Sequence, residues 1–131
     1  MREILFKAKR IDNGEWIEGN LLLYDGIAQI HNQVQLFLIS VDPDTICQFT
    51  GLTDKNGNKI WENDVVKFPD CEMGTESGYG ECFTNTGKIS YDAESMSYFI
   101  TNRITADMQD IYIKDEVEVI GNIFDNPELI S

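Results

Sequence analysis

The stretch Gln48-Phe49-Thr50-Gly51-Leu52-Thr53-Asp54-Lys55-Asn56-Gly57-Asn58-Lys59-Ile60-Trp61 indicates the class of fold. Two strand-like ends, Phe49–Leu52 and Lys59–Trp61, flank the pair Asn56-Gly57. Asn and Gly tolerate the positive φ of a tight turn, so this pair between two such runs predicts a β-hairpin.

Strand-like runs recur on both sides of this hairpin. In Glu3–Lys9, the residues Ile4, Phe6 and Ala8 recur at the period of two that a strand with one buried face requires. Runs rich in β-branched and aromatic residues predict further strands at 16–24, 27–31, 34–39, 45–49, 65–68, 88–91, 96–101, 111–113 and 117–120. The sequence therefore predicts a mainly β protein.

Three segments lack a strand pattern. Residues 69–82 have no Lys or Arg and predict an exposed loop. Thr105 either caps a short helix over 106–111 or lies in an irregular segment. Asn126-Pro127-Glu128 has a cap, a first-turn proline and an acid, and predicts a short C-terminal helical turn.

The sequence divides near residues 51–58 into two β units. Residues 1–50 read as a run of hairpins, and residues 51–131 contain the four or five short strands of a small SH3-like barrel. We expect an N-terminal β-hairpin unit, 1–50, and a barrel-like unit, 51–131, joined in one integrated fold.

Length and composition bound the class of protein. The chain has 131 residues, of which 42% are hydrophobic, as in one ordinary globular domain. Apolar runs stay shorter than the roughly 18 residues of a membrane helix. The opening residues carry a charge every few positions, which does not suit a signal peptide. We therefore expect a cytoplasmic protein without membrane contact.

The chain is strongly acidic, with a net charge of −13. Direct binding to nucleic acid needs clustered Lys and Arg, so we do not expect it. Residues 1–50 have a net charge of −3, and residues 51–131 have −10. This asymmetry leaves two interpretations: a solvated surface that repels its own copies, or a surface that imitates nucleic acid on a basic partner.

The chain opens with Met1-Arg2-Glu3-Ile4, continues after the hairpin as Glu62-Asn63-Asp64-Val65-Val66-Lys67, and closes with Glu118-Val119-Ile120-Gly121-Asn122-Ile123-Phe124-Asp125-Asn126-Pro127-Glu128-Leu129. Together with Gln48–Gly57, these stretches resemble the YopX family, whose members are found largely in bacteriophages and prophages. The resemblance implies a β-rich phage protein in the bacterial cytoplasm and suggests self-assembly. It brings no established activity and no catalytic residues. Cys47 and Asn63 stand where we would expect Gly.

The motif residues are interpreted as structural. Glycines suit turns or close backbone approach, Asp and Asn suit side-chain bonds to turn amides, and an Asp before a strand suits bonds to the amides at its entry. Asn is a good substitute for Gly at positive φ, whereas Cys can replace Gly only where φ is negative. The predicted structural residues are Gly51, Asp54, Asn56, Gly57, Asp64, Gly121, Asn122 and Pro127.

Metal sites are weakly supported. The spacing of Asp54, Asn56 and Asn58 resembles the start of an EF-hand loop, but Lys59 and Val65 occupy the positions that need Gly and Glu. The residues Cys47, Cys71, Cys82 and His31 add up to the composition of a Cys₃His zinc site. Their separations of 16, 24 and 11 residues do not match the short ligand pairs of structural zinc.

The same residues offer little for catalysis. An odd number of cysteines favours reduced thiols in a reducing compartment. A Cys–His nucleophile is conceivable because the chain has one His, but neither residue type lies in a recognisable elbow or helix start. We predict no catalytic residue, no cofactor and no metal, and beyond packing the sequence assigns no role to these four residues.

Three functions stay open. The first is a non-enzymatic phage accessory protein that works through protein contacts, either as a homo-oligomer or with a host or phage partner. The second is an acidic decoy that occupies the DNA-binding surface of a host enzyme. The third is a small enzyme or metal-binding protein without a recognisable motif. Enzymatic activity is left open, with the non-enzymatic function favoured.

Overall fold

A computed structural model describes residues 4–32, 38–71, 80–102 and 116–130 of the chain. The protein is mainly β, as predicted, and the described residues form two antiparallel sheets and two short 3₁₀ turns at Pro43–Thr45 and Pro127–Ile130. The strands are β1 (Phe6–Lys9), β2 (Trp16–Tyr24), β3 (Ile27–His31), β4 (Leu38–Ser40), β5 (Cys47–Thr53), β6 (Lys59–Trp61), β7 (Asp64–Cys71), β8 (Cys82–Asp92), β9 (Ser97–Ile100) and β10 (Glu118–Asn122).

Two compact units make up the chain, Met1–Gly51 and Leu52–Ser131. Strand β5 crosses this division, and β6 follows β5 in the strand order. The predicted domains 1–50 and 51–131, as separate or integrated folding units, stay a prediction.

In the first unit, the strand order is β4-β3-β2-β1-β5. The nine-residue strand β2 pairs with β1 through its first half and with β3 through its second half. One face of these strands is buried and forms a small core of alternating apolar residues, as period two requires. The core residues are Ala8, Ile17, Ala28, Ile30 and Val41.

In the second unit, four strands follow the order β10-β7-β8-β9. Their buried side chains form one apolar cluster together with Ile60 of β6: Val66, Phe68, Ile89, Tyr98, Ile100 and Val117. This sheet is open, with β10 and β9 at its edges, so the predicted SH3-like barrel is not confirmed. The strands predicted at 88–91 and 96–101 are confirmed as parts of β8 and β9, which pair as an antiparallel hairpin.

The predicted loop at 69–82 is wrong at both ends. Strand β7 continues through Pro69 to Cys71, and β8 begins at Cys82. A proline interrupts a strand only where its missing N–H is needed by a neighbour. Strand β10 pairs with β7 no further than Lys67, and β8 pairs with Pro69 on the other side. Pro69 therefore lies where one side of β7 has no partner among the described strands.

Several predictions fall outside the described residues. They include the strand at 111–113, the choice between helix and irregular chain around 106–111, and the middle of the segment 69–82. The strand predicted at 34–39 lies partly outside them, and its described end is β4. The short C-terminal helical turn is present as the 3₁₀ turn Pro127–Ile130.

Candidate functional site

Asp54 is a buried acid at the start of the turn between β5 and β6. Its Oδ1 accepts hydrogen bonds from the backbone N–H groups of Asn56 and Asn58, both at 2.9 Å. Its Oδ2 accepts one from the N–H of Val119 in β10, also at 2.9 Å. One carboxylate thus holds the turn in shape and fastens it to a strand that lies far along the chain.

The pKa of Asp54 reflects these contacts. Burial is the largest single influence and raises the pKa, because it penalises the charged form. The backbone N–H groups of Val119, Asn58 and Asn56 oppose burial by bonding to the carboxylate. Together they hold the pKa of Asp54 below its ordinary value of 3.8. Asp54 is therefore a stable buried anion that accepts hydrogen bonds from the backbone.

The turn of Asp54 continues into a shallow groove of about 240 Å³ in the second unit. Glu118 of β10 lines this groove, and its Oε1 lies 3.3 Å from Lys67 Nζ and 4.0 Å from Lys55 Nζ. The amide of Asn56 also reaches Glu118, at 3.5 Å. Two acids, Glu116 and Glu118, line the groove beside the two lysines, so the groove has mixed charge and is not arranged for a phosphate or another anion.

Asp64 organises the next turn, between β6 and β7. It is buried, and its Oδ2 accepts a hydrogen bond from the N–H of Trp61 at 2.8 Å. Asn63 in this turn has a φ of 72°, and its N–H bonds to the carbonyl of Ile89 at 2.8 Å. The carbonyl of Asn63 accepts a bond from the N–H of Ile123 at 3.1 Å. This second turn is therefore fixed to both β8 and the segment after β10.

The residues after β10 form a third such turn. The Oδ1 atom of Asn122 accepts the N–H groups of Phe124 at 3.0 Å and Asp125 at 2.9 Å. Pro127 then starts the final 3₁₀ turn. A Cβ added at Gly121 would lie 2.5 Å from Oδ1 of Asn126, so the Asn126 side chain would have to move.

The structure brings several predicted motif residues together. The Asp54 turn meets β10 through Val119, and the Asn63 turn meets the chain just beyond it at Ile123. Gly51 and Gly57 have positive φ values of 90° and 84°. The motif residues assemble backbone turns around β10, and they do not bring a nucleophile to a base. Their structural assignment as a set stays a prediction.

Cys47 and Asn63, the two departures from the expected Gly, fit their places. Asn63 has the positive φ that Asn tolerates better than most residues. Cys47 is buried and is not among the residues with positive φ, so its side chain meets no backbone penalty there.

The expectation of three reduced thiols is wrong for this structure. Cys71 and Cys82 form a disulfide between directly opposed residues of β7 and β8, with their Cα atoms 3.9 Å apart. Cys47 is a free, buried thiol. Neither cysteine of the disulfide offers a thiolate to the zinc site considered from composition. The sequence separation of eleven residues does not by itself predict this disulfide. The pairing could be inferred only after Cys71 and Cys82 had been placed on adjacent strands.

The structure places the two other candidate metal ligands, His31 and Asp54, in a strand and in a turn. His31 ends β3 in the first unit and pairs with Asn20 and Leu38. The two carboxylate oxygens of Asp54 already accept three N–H groups, which suits a hairpin turn and leaves little of the carboxylate for a calcium ion. Among residues 4–32, 38–71, 80–102 and 116–130, no three His, Cys, Asp or Glu side chains cluster as metal ligands would.

Asp70 is a buried acid that the sequence analysis did not single out. It accepts a hydrogen bond from the amide of Asn85 at 3.0 Å, and this amide also bonds to the carbonyl of Asn102 at 2.9 Å. The two residues lie on the adjacent strands β7 and β8, fifteen positions apart. The sequence carries no signal for the pair, because Asp70 falls within the predicted loop.

Comparison with known proteins agrees with the three motif stretches. The model of the family described as YopX protein matches residues 3–131. The chain belongs to the YopX family. No curated protein matches the sequence. A solved structure described as protein EF1440 from Enterococcus faecalis is similar at a TM-score of 0.60, with 24% identity over the full length of both chains. At this identity the similarity shows a shared fold. Across the part of the YopX chain that the structure describes, no helix has both the length and the apolar character needed to cross a membrane.

Reduction of the Cys71–Cys82 disulfide in this YopX chain should lower its stability. A closed loop spanning eleven positions restricts the unfolded chain by about 2.8 kcal/mol in the chain-entropy relation. Urea unfolding with and without dithiothreitol measures the difference. The double variant Cys71→Ser/Cys82→Ser should match the reduced protein and ignore the reductant. Equal stability of oxidised and reduced protein would contradict the expected stabilisation.

Substitution of Asn63 should separate backbone strain from side-chain contacts. Asn63→Gly should leave the free energy of unfolding within about 0.5 kcal/mol, because Gly accepts positive φ freely. Asn63→Val should lower it by about 2 kcal/mol, because a β-branched residue is strained there. Thermal unfolding of the two variants checks this order, and equal losses would show that the amide side chain is what matters.

Proposed function

We propose that this YopX chain is a phage or prophage accessory protein that works in the bacterial cytoplasm through protein contacts and self-assembly, without enzymatic activity. The observation that carries the proposal is the use of the motif carboxylates. Asp54 and Asp64 are both buried and bond to backbone N–H groups of their own turns. Side chains committed to holding turns support a role in presenting a surface rather than in catalysis.

The cytoplasmic location rests on the membership of the YopX family. The Cys71–Cys82 disulfide stands against it, because disulfides are rare in reducing compartments. Trapping the thiols with an alkylating agent during denaturing lysis of expressing bacteria, which also exposes the buried Cys47, tests the location. We expect three alkylated cysteines per chain in the cytoplasm, and one alkylated cysteine would favour an oxidising compartment.

Self-assembly is tested by the solution mass of the purified protein. Sedimentation equilibrium at micromolar concentration should give a mass above the 14.9 kDa of one chain, rising with concentration. A single species of 14.9 kDa across the range would remove the self-assembly from the proposal.

The alternative is an acidic decoy for a host enzyme that acts on nucleic acid. The specific observation behind it is the net charge of −10 on residues 51–131. Affinity capture from host lysate should then recover a DNA-processing enzyme, whose binding weakens steeply with salt and is displaced by duplex DNA. Capture that responds to neither salt nor DNA would end this alternative.

A further inference from the structure

One face of the β2–β3–β4 sheet in the first unit is solvent-exposed and largely apolar. Side chains alternate between the two faces of a strand. Ala28 and Ile30 of β3 point into the core, so their neighbours Ile27, Gln29 and His31 point the other way. We call this side of the three strands the open face. Its residues are the apolar Leu22, Tyr24, Ile27 and Leu38 and the polar Asn20, Gln29, His31 and Ser40.

The apolar residues of the open face lie close together. Tyr24 of β2 is directly opposite Ile27 of β3, and Leu22 is two residues before Tyr24. Leu38 of β4 is directly opposite His31 of β3. The exposed fractions are 47% for Leu22, 67% for Tyr24, 48% for Ile27 and 42% for Leu38. Isolated exposed apolar residues are ordinary, but neighbouring ones on one sheet face mark a surface that another molecule covers.

The open face itself carries no charged side chain, and the exposed Glu18 lies on the same face of β2, two residues before Asn20. Residues 20–41 contain one charged side chain, Asp25, which lies in the turn between β2 and β3. The remaining residues therefore carry −12 of the net charge of −13. Two copies of such a chain repel each other wherever acidic surfaces meet. At an uncharged patch such as the open face, a second copy meets less of this repulsion than at an acidic surface.

We propose that the open face is the surface on which a second copy of this chain docks, with the same face of each copy meeting across a two-fold axis. The proposal rests on the self-assembly proposed above and assigns it a location. A two-fold contact places one patch against itself, which an uncharged apolar patch allows and a charged patch opposes. A basic partner would gain from the acidic remainder of the chain and would have no use for this face.

The size of the open face sets the expected strength of association. Three strands about 4.8 Å apart and about five residues long cover roughly 15 Å by 16 Å. This is well below the ~800 Å² per partner that a standard stable interface buries. We therefore expect a weak, reversible dimer, and not a permanent one.

Charge placed on the open face should weaken the dimer. Tyr24→Glu is expected to raise the dimer dissociation constant at least about tenfold in sedimentation equilibrium, because it sets like charges against each other across the axis. Ile11→Glu is the matched control, since Ile11 is 67% exposed in the same unit but lies in the turn after β1. The control should change the constant less than about twofold. Leu22→Gln adds a milder change, and circular dichroism shows whether each variant is folded.

The salt dependence of dimerisation is a second test of the open-face proposal. Because the net charge of −13 opposes association, added salt should strengthen the dimer by screening this repulsion. A dimer held by contacts between opposite charges would weaken as salt is added, and this result would overturn the open-face proposal.

The outcomes separate the two proposals. A wild-type chain that stays monomeric overturns both self-assembly and the docking face. A wild-type dimer that Tyr24→Glu leaves intact, with the variant folded, overturns only the docking face. A dimer weakened by Tyr24→Glu and by Leu22→Gln but not by Ile11→Glu supports both.

Discussion

Replacing Asp54 with Ala is expected to lower the free energy of unfolding by about 4 kcal/mol. The change leaves three backbone N–H groups, those of Asn56, Asn58 and Val119, without their acceptor. A buried donor left without a partner costs about 1–3 kcal/mol, and here the donors lie in two separate segments. Urea unfolding followed by tryptophan fluorescence measures the loss.

The effect of Asp54 should depend on pH. Its pKa is lowered in the folded protein below the ordinary 3.8, so the carboxylate stabilises the fold above that pH. This stabilisation is lost as the pH falls from 3.8 through the folded pKa. Asp54→Asn should therefore be clearly less stable than the wild type at neutral pH, and the difference should shrink in acid. Urea unfolding of both proteins at several pH values measures it.

Asp92→Ala is the matched control for Asp54→Ala. Asp92 also accepts a backbone N–H in a turn of the second unit, that of Glu94 at 3.1 Å, but at the exposed surface. Its loss should cost less than about 1 kcal/mol, because water replaces the carboxylate. Equal losses for the two variants would contradict the role given to the burial of Asp54 and to its bond with β10.

Gly87→Ala is expected to destabilise the second unit by about 3 kcal/mol or more, since it forces atoms into a filled space. A Cβ at Gly87 would overlap the carbonyl oxygen of Thr101 and lie 2.8 Å from Cγ2 of Ile100. Thr101 and Lys88 exchange two hydrogen bonds of 2.9 Å beside this point, so moving Thr101 also breaks the end of the β8–β9 pairing. Thermal unfolding measures the loss.

Gly57→Ala gives the comparison for Gly87→Ala. Gly57 has a φ of 84° and open space where a Cβ would lie, so this substitution costs only backbone strain. That strain is about 1–2 kcal/mol. If Gly87→Ala cost no more than Gly57→Ala, the close approach of Thr101 would not be a rigid feature of the fold.

The local sequence was sufficient for the strands and turns because their signals are local. Asn56-Gly57 predicts its turn since the positive φ depends on the residue type itself, and the same reason allowed Asn63 to be assigned as a tolerable replacement for Gly. Alternation between apolar and polar residues predicts β1 because one face of this strand is buried. The resemblance to the YopX family could also be found from the sequence, since each motif stretch is contiguous in the chain.

Contacts between distant residues could be decided only by the tertiary structure. The sequence places Asp54 in a turn, but its bond to Val119 spans 65 positions and depends on how β10 pairs with β7. The Cys71–Cys82 disulfide was missed because opposition across two strands depends on their register, which residue types do not specify.

The open face shows the same division between sequence and structure. The sequence by itself determined that residues 20–41 carry a single charge and that Leu22, Tyr24 and Ile27 lie in strands. It could not decide which of these side chains reach the core, because the alternation gives two faces and only packing selects the buried one. The tertiary structure buried Ala28 and Ile30 and left the opposite face in solvent, since the available core covers one side of the sheet.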